Sequence, residues 1–527
     1  MFSIPYSQTG YFSKLMIDYL NQDNRLTSLY HRFPTLEHFK LQIEDKKQAF
    51  SIEKRKILVE RLLSQYQSID TSHSTLQHIR TLENENSFTI VTGHQLNLFT
   101  GPLYFLYKII SVINLCKELK KTYPEQNFVP VYWMATEDHD FEEINFFNFN
   151  RIKFHWNKEA SGPVGRLNTD GLEAVFEQFK QHLPLGNNAK KLASLFEKAY
   201  LQHNNLTDAT RFLANELFKN EGLVIIDGDD TQLKKLFTPH VKEELLHQSA
   251  IKEVEKSYPV LSDYLIQVNP REINLFYIEN NLRERIVFEE HQYKVLNTDL
   301  KFSREEILDL VDSNPEKFSP NVILRPLYQE VILPNLCYIG GGGELAYWLE
   351  LKKVFELHHT TFPMLLLRNS VLLATEKQNN KREKLDLTWE ELFLKTQPFT
   401  QKKTHDLSEK AFDFDQQKAF LRKQFNDLVA LTQKTHPSFL GAVKAQEQKQ
   451  IKGLENLEKR YFKAERLKNQ DELERMFDLK IALFPNNSLQ ERVDNFSTLY
   501  AEFGQEMIDI LLEKLNPLDQ NYSIITL

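Results

Sequence analysis

The sequence predicts an α/β fold built on a parallel sheet, with a long helical arm near its C-terminal end. Three observations predict it. Short apolar β-rich runs alternate with amphipathic helices through the first 370 or so residues. Loops rich in glycine and polar residues follow several of these runs. From about Lys377 the sequence turns charged and helical. Strands that alternate with helices form parallel sheets through crossover connections.

Residues 1 to about 85 are expected to be helical, because Phe12, Leu15, Met16, Tyr19 and Leu20 recur at three- and four-residue spacing, and a second amphipathic run covers Lys54–Tyr66. Ser87–Thr92 is the first strand, closed by Gly93. A long apolar helix follows from Leu103 to about Lys120, with Thr100 as its expected cap and Pro102 near its first turn. Phe128–Ala135 is the second strand, and Phe146 to about Arg166 reads as an inserted hairpin or subdomain. A helix over Asp208–Lys219 leads into the strand Gly222–Asp227. Residues 250–330 mix strand-like runs, Asn274–Ile278 and Ile286–Phe288, with short helices. Asn335–Ile339 is a further strand, followed by Gly340–Gly343 and a helix through Leu357, and Pro363–Leu367 is one more.

Beyond Lys377, Phe420, Leu421, Phe425, Leu428 and Leu431 mark one helix, and Ile451, Leu454, Leu457, Tyr461 and Ala464 another. The turn signal His436–Gly441 between them predicts an antiparallel, coiled-coil-like hairpin. A hairpin with two ridges and one seam tends to pack on another copy, so a homodimer through the arm is expected. A last helix, Phe496–Leu515, and the tail Tyr522–Leu527 are expected to return to the main body. The expected domains are 1–376 (core), 377–482 (arm) and 483–527 (returning segment).

At 527 residues the chain is too long for one ordinary core. A hydrophobic fraction of 41% excludes wholesale disorder. The net charge of -8 is mildly acidic and spread along the chain, which argues against a nucleic-acid partner. The two cysteines, Cys116 and Cys337, sit in apolar surroundings and are expected as buried thiols in a reducing compartment. No signal peptide and no membrane span is recognised, so the expected location is cytoplasmic.

Ligands of open α/β sheets bind beyond the carboxyl ends of the strands. That rule selects Gly93, His94 and Gln95 first. Gly93 permits close backbone approach, and the next helix points its positive end toward this loop; an ordinary capped turn explains the segment equally well. The second loop is Thr136–Asp140, with Glu142 and Glu143 behind it. Glu137, Asp138, His139 and Asp140 offer a general base toward an amine, an Mg²⁺ ligand or an ammonium binder. An acid-rich helix start explains Glu142 and Glu143, but explains His139 between two aspartates poorly. As a zinc site the cluster is weak, since adjacent residues point in different directions. The third loop is Gly340–Glu344. Gly341, Gly342 and Gly343 could wrap a phosphate with backbone N–H groups, although neither a Walker loop nor a dinucleotide fingerprint is present. Tyr347 and Trp348 fit core or a stacking wall. Arg325, Arg368 and Arg492 are candidate anion contacts, with a structural ion pair as the competing explanation for each.

Together these residues resemble the bacillithiol-biosynthesis cysteine-adding enzymes, the BshC family. The matching blocks are GHQLNLFTGPLY (Gly93–Tyr104), PVYWMATEDHDFEEIN (Pro130–Asn145), RPLYQE with YIGGGGELAYW (Arg325–Trp348) and FPNNSLQER (Phe484–Arg492). The resemblance spans essentially the whole chain. It implies a Rossmann-like parallel-sheet core with inserted connecting segments, plus a C-terminal antiparallel α-helical coiled-coil arm that dimerises the protein. It also implies joining of cysteine to the amine of glucosaminyl-malate, with ATP or ADP as the nucleotide and Mg²⁺ as a possible companion. On that reading Asp138, His139, Asp140 and Glu344 are catalytic. Gly93, His94, Gln95, Glu137, Asn145, Arg325, Tyr347 and Trp348 bind substrate; Gly341–Gly343, Arg368 and Arg492 bind nucleotide; no metal is held by the protein itself. Asp138 or Asp140 would hold or deprotonate the substrate amine, with His139 orienting one of them. Some family members carry Gln where this chain has His94, which moves the emphasis to the Glu137–Asp140 cluster. Two other readings compete: a dimeric coiled-coil scaffold with a non-catalytic nucleotide pocket, and a metal-dependent hydrolase using Glu137–Asp140.

Overall fold

The computed structural model describes residues 1–408, 414–432 and 434–527; positions 409–413 and 433, within the expected arm, lie outside the described residues. The strands among them are β1 (Phe2–Pro5), β2 (Ser87–His94), β3 (Asn127–Met134), β4 (Phe146–Phe149), β5 (Ile152–His155), β6 (Val224–Asp227), β7 (Leu275–Glu279), β8 (Leu282–Glu289), β9 (Gln292–Val295), β10 (Lys301–Phe302), β11 (Phe318–Pro320), β12 (Asn335–Gly340), β13 (Met364–Leu367), β14 (Val371–Ala374) and β15 (Asn521–Thr526).

The central sheet runs β13-β12-β2-β3-β6 and is parallel throughout. Its strands are apolar along nearly their whole length because both faces are covered. On one side Phe88, Ile90, Leu336, Cys337, Ile339, Met364 and Leu366 pack with Val112, Leu115, Cys116 and Leu119 of the helix Tyr104–Thr122. Both cysteines are free and buried. From β2 the chain moves to β3 and β6 on one side, while β12 and β13 lie on the other. The order therefore reverses between β2 and β12, and a crevice opens there at the carboxyl ends of the strands.

Three smaller sheets surround this core. The hairpin β4–β5 fills the expected insertion after residue 146. An antiparallel sheet, β10-β9-β8-β7-β11, occupies residues 275–320. The third has the order β1-β15-β14 and ties the tail to the first strand, with Phe2 opposite Ile524.

Contacts divide the chain into two units. The first is Met1–Leu373 with Leu489–Ile525 and Leu527; the second is Ala374–Ser488 with Thr526. Leu489–Ile525 of the returning segment thus belongs to the core unit. The second unit pairs the helices Asp415–Thr432 and Ser438–Lys468, bridged by Lys418 and Glu458 at 2.8 Å.

Three local expectations are corrected. Thr100 is not a helix cap: Phe99, Thr100 and Gly101 all have positive φ, and the helix starts at Tyr104 without a side-chain cap. The helix after the glycine run is two short ones, Gly342–Trp348 and Lys352–Leu357. The final helix breaks at Gly504, whose φ is 63°. A Cβ at that position would lie 2.6 Å from Asn188 Oδ1.

Candidate active site

The crevice between β2 and β12 holds a cavity of about 730 Å³. The ends of β2, β3 and β12 deliver Gly93–Gln95, Thr136–Asp138 and Gly341–Glu344 to its wall, while Arg325, Tyr347, Arg368 and Arg492 complete much of it. Most residues selected from sequence therefore share one cavity.

The acidic loop leaves β3 and is clamped at once. The Thr136 and Asp138 carbonyls accept the Gly165 and Val164 N–H groups at 2.8 and 2.7 Å. Glu137 Oε1 lies 2.6 Å from the buried Lys234 ammonium, which also reaches Asp229 Oδ1 at 2.9 Å. Asp229 in turn accepts Arg166. Asp138 accepts the Gln95 amide, and the His139 N–H at 2.7 Å. Burial alone would raise the Asp138 pKa, but the His139 hydrogen bonds, the Arg283 charge and the Gln95 amide hold it far below the usual carboxylate range. Asp138 is thus a fixed anion and a weak base. It suits holding an ammonium better than deprotonating one.

Not every predicted residue reaches the cavity. His139 is half exposed and lies outside the cavity wall; its Nδ1 accepts from Arg283 at 2.7 Å. Asp140 is exposed and outside the wall, because the chain turns there into the short helix Phe141–Ile144. Asn145 is buried away from the cavity, and its carbonyl pairs with the Trp156 N–H. Trp348 lies beneath the wall, stacked on Tyr338 with centroids 4.4 Å apart.

The glycine loop is held by Glu344. One carboxylate oxygen takes the Gly341 N–H at 3.1 Å and the Lys108 ammonium at 2.6 Å; the other takes the Tyr338 hydroxyl at 2.7 Å. With both oxygens engaged, Glu344 shapes the loop rather than moving protons. Lys108 also donates to the Gly93 carbonyl at 2.6 Å, joining the β2 and β12 loops. A Cβ on Gly93 would meet the Tyr338 hydroxyl at 3.0 Å, which explains that glycine. At Gly341, Gly342 and Gly343 a Cβ would make only ordinary contacts. Packing does not require them, and their backbone stays open to a ligand. His94 is pushed well below its ordinary pKa by burial and by the Lys108 charge, so it is neutral.

Two guanidinium groups keep donors in hand. Arg368 engages Asn369, Ser370 and Glu491, yet its buried Nε has no partner and faces Gly341. Arg325 donates to Gln329 while its buried Nη2 is unpartnered. Such orphaned donors beside an open glycine loop fit a phosphate. Among the described residues no three His, Cys, Asp or Glu side chains converge as a metal ion would require, and no helix is long and apolar enough to cross a membrane.

Sequence reasoning missed Lys108, Lys234 and the arginines of the inserted sheet. Lys108 had a signal: it is a lone charge in the apolar run Leu103–Cys116. So did Lys234, whose partner lies in the acidic stretch Asp227–Asp230 after β6.

Comparison with known proteins agrees with this architecture. Residues 1–369 match the family model described as the bacillithiol biosynthesis BshC N-terminal Rossmann-like domain. Residues 371–527 match the BshC C-terminal coiled-coil domain. A protein of Flavobacterium psychrophilum is 60% identical over 99% of this chain and 98% of its own length. One of Flavobacterium johnsoniae is 59% identical over 99% of both. One of Bacillus cereus strain AH187 is 29% identical over 97% of this chain and 98% of its own. Each is named as a provisional cysteine ligase, BshC. With both family models matched in order over nearly the full length, and a Rossmann-like core followed by a coiled coil, the chain belongs to the BshC family of bacillithiol biosynthesis.

Proposed function

We propose that this chain is a cysteine ligase of bacillithiol biosynthesis, joining the carboxylate of cysteine to the amine of glucosaminyl-malate with ATP as the activating nucleotide. One observation carries the reading: a single cavity presents fixed carboxylates, Glu137 and Asp138, together with unpartnered guanidinium donors beside an open glycine loop. The carboxylates suit an ammonium, and the donors suit phosphate oxygens.

In the proposed step a cysteine carboxylate oxygen attacks a phosphorus of ATP, and ADP or pyrophosphate leaves. The ammonium first loses a proton to solvent; the free amine nitrogen then attacks the acyl carbon, phosphate or AMP leaves, and the new amide nitrogen gives its extra proton to solvent. Glu137, held in place by Lys234, and Asp138 position the amine. Backbone N–H groups at Gly341–Gly343, with Arg368, Arg325 and Arg492, take the phosphate charge. Mg²⁺ would enter with the nucleotide rather than on a protein site. Glu344 and Lys108 hold the two loops at a fixed separation. We further propose that the helical arm makes the active protein a homodimer.

The test is nucleotide turnover. Purified protein should consume ATP only when cysteine and glucosaminyl-malate are both present, and mass spectrometry should find the amide. Amide formation without any nucleotide would discard the activation scheme. Asp138→Asn should lower kcat/KM at least tenfold, and full activity would remove this loop from the reaction.

A further inference from the structure

We propose that the inserted antiparallel sheet holds a subsite for the acid groups of the amine substrate, with Arg271 and Arg285 as its carboxylate-binding residues. This rests on the ligase reading and adds how the second substrate is selected.

Arg283 and Arg285 stand two residues apart on β8, opposite Ile278 and Phe276 of β7. Alternation along a strand puts them on one face, roughly 7 Å apart. Both line the cavity, as does Arg271. Arg283 is already committed: it lies 3.9 Å over the Phe276 ring, donates to His139, and sits 3.9 Å from Asp138 Oδ1. Arg271 and Arg285 have no ion-pair partner within 4.0 Å among the described residues, and the Arg285 Nε is buried with no hydrogen-bond partner. Arg285 is partly buried with its Nε desolvated and unpartnered, and Arg271 stands exposed at the rim of the same cavity; neither faces a carboxylate of the chain, and an anionic ligand completes them.

The neighbours add a requirement for an amine. Asp138 and Glu137 line the same cavity and attract an ammonium. A molecule bearing both an amine and acid groups fits the whole arrangement. Its amine lies at Asp138, and its carboxylates reach past Arg283 to Arg285 and Arg271. Planar guanidinium forks match carboxylates in pairs, as a dicarboxylic acid supplies them.

The test uses the full-length protein with Arg271→Ala, Arg285→Ala, the double variant and Arg285→Lys. Each alanine variant should raise KM for glucosaminyl-malate at least tenfold, with kcat and the KM values for cysteine and ATP within twofold. Arg285→Lys, which keeps charge but loses the fork, should fall between. L-malate should compete with the amine substrate in the wild type and lose that competition in the double variant. An unchanged KM for the amine in the double variant would overturn the subsite and leave the ligase reading intact. A parallel loss of ATP affinity would overturn it too, by making the wall a phosphate site. Wild type that binds glucosaminyl-malate in an arginine-dependent way, yet forms no amide, would instead remove the ligase reading and keep the subsite.

Discussion

Lys234 neutralises two carboxylates from different loops, Glu137 and Asp229, while almost fully buried. Lys234→Met would leave both acids without their shared cation. Losing one partner of a buried pair costs about 3–5 kcal/mol, so denaturant unfolding should show a drop of that order; a loss under about 1 kcal/mol would mean that the network relaxes freely. Asp494 offers the opposite case. Burial pushes its pKa up to about 6 from 3.8, with Arg151 offsetting part of the effect. A raised acid favours folding below its unfolded pKa and loses that contribution as pH rises through the folded value. Asp494→Asn should therefore stabilise the protein by on the order of 2 kcal/mol above pH 6. The gain should mostly vanish near pH 4, and thermal unfolding across that range checks it. At this scale the sequence exposed the acidic loop, because three carboxylates and a histidine after an apolar strand stand out locally. It hid the contact between Lys234 and Glu137, because the two come together only when β3 and β6 pair.

The short turn Val164–Arg166 clamps the acidic loop, and Gly165 is where the two backbones touch. A Cβ there would lie 2.5 Å from Thr207 Oγ1 and 2.7 Å from Thr136 Cβ. Gly165→Ala should cost about 1–3 kcal/mol through overpacking and should lower kcat/KM more than it lowers stability predicts. Unaltered kinetics would separate the clamp from catalysis. The parallel strands were legible because a strand buried on both faces is apolar without interruption. Of the inserted sheet only β7 and β8 were legible, since β9, β10 and β11 are short and partly polar. The start of the helix Tyr104–Thr122 was misread because a tertiary contact helps fix it: the Leu103 N–H donates to the Asp494 carbonyl, almost four hundred residues away.

For the whole molecule, the arm makes the oligomer prediction. Phe420, Leu431, Leu457 and Leu467 are more than half exposed on its two long helices. Sedimentation equilibrium should give twice the 62.2 kDa of one chain, and Phe420→Asp with Leu457→Asp should return a monomer that keeps its helicity. A wild-type monomer at micromolar concentration would reject the dimer. The two-part organisation was legible from the change of composition near Lys377. That the last segment rejoins the core unit was expected only in outline, because the pairing of β15 with β1 links residues at opposite ends of the sequence.

The Arg368–Glu491 pair joins residues that flank the arm in sequence, at 2.8 Å and almost fully buried. Its consequence concerns synthesis. A ribosome makes Arg368 more than a hundred residues before Glu491, with the entire arm emerging between them. Until then the cavity's arginine has no counter-charge and β14 lacks its neighbour β15. The core unit therefore cannot close this pair until the segment after the arm has been made.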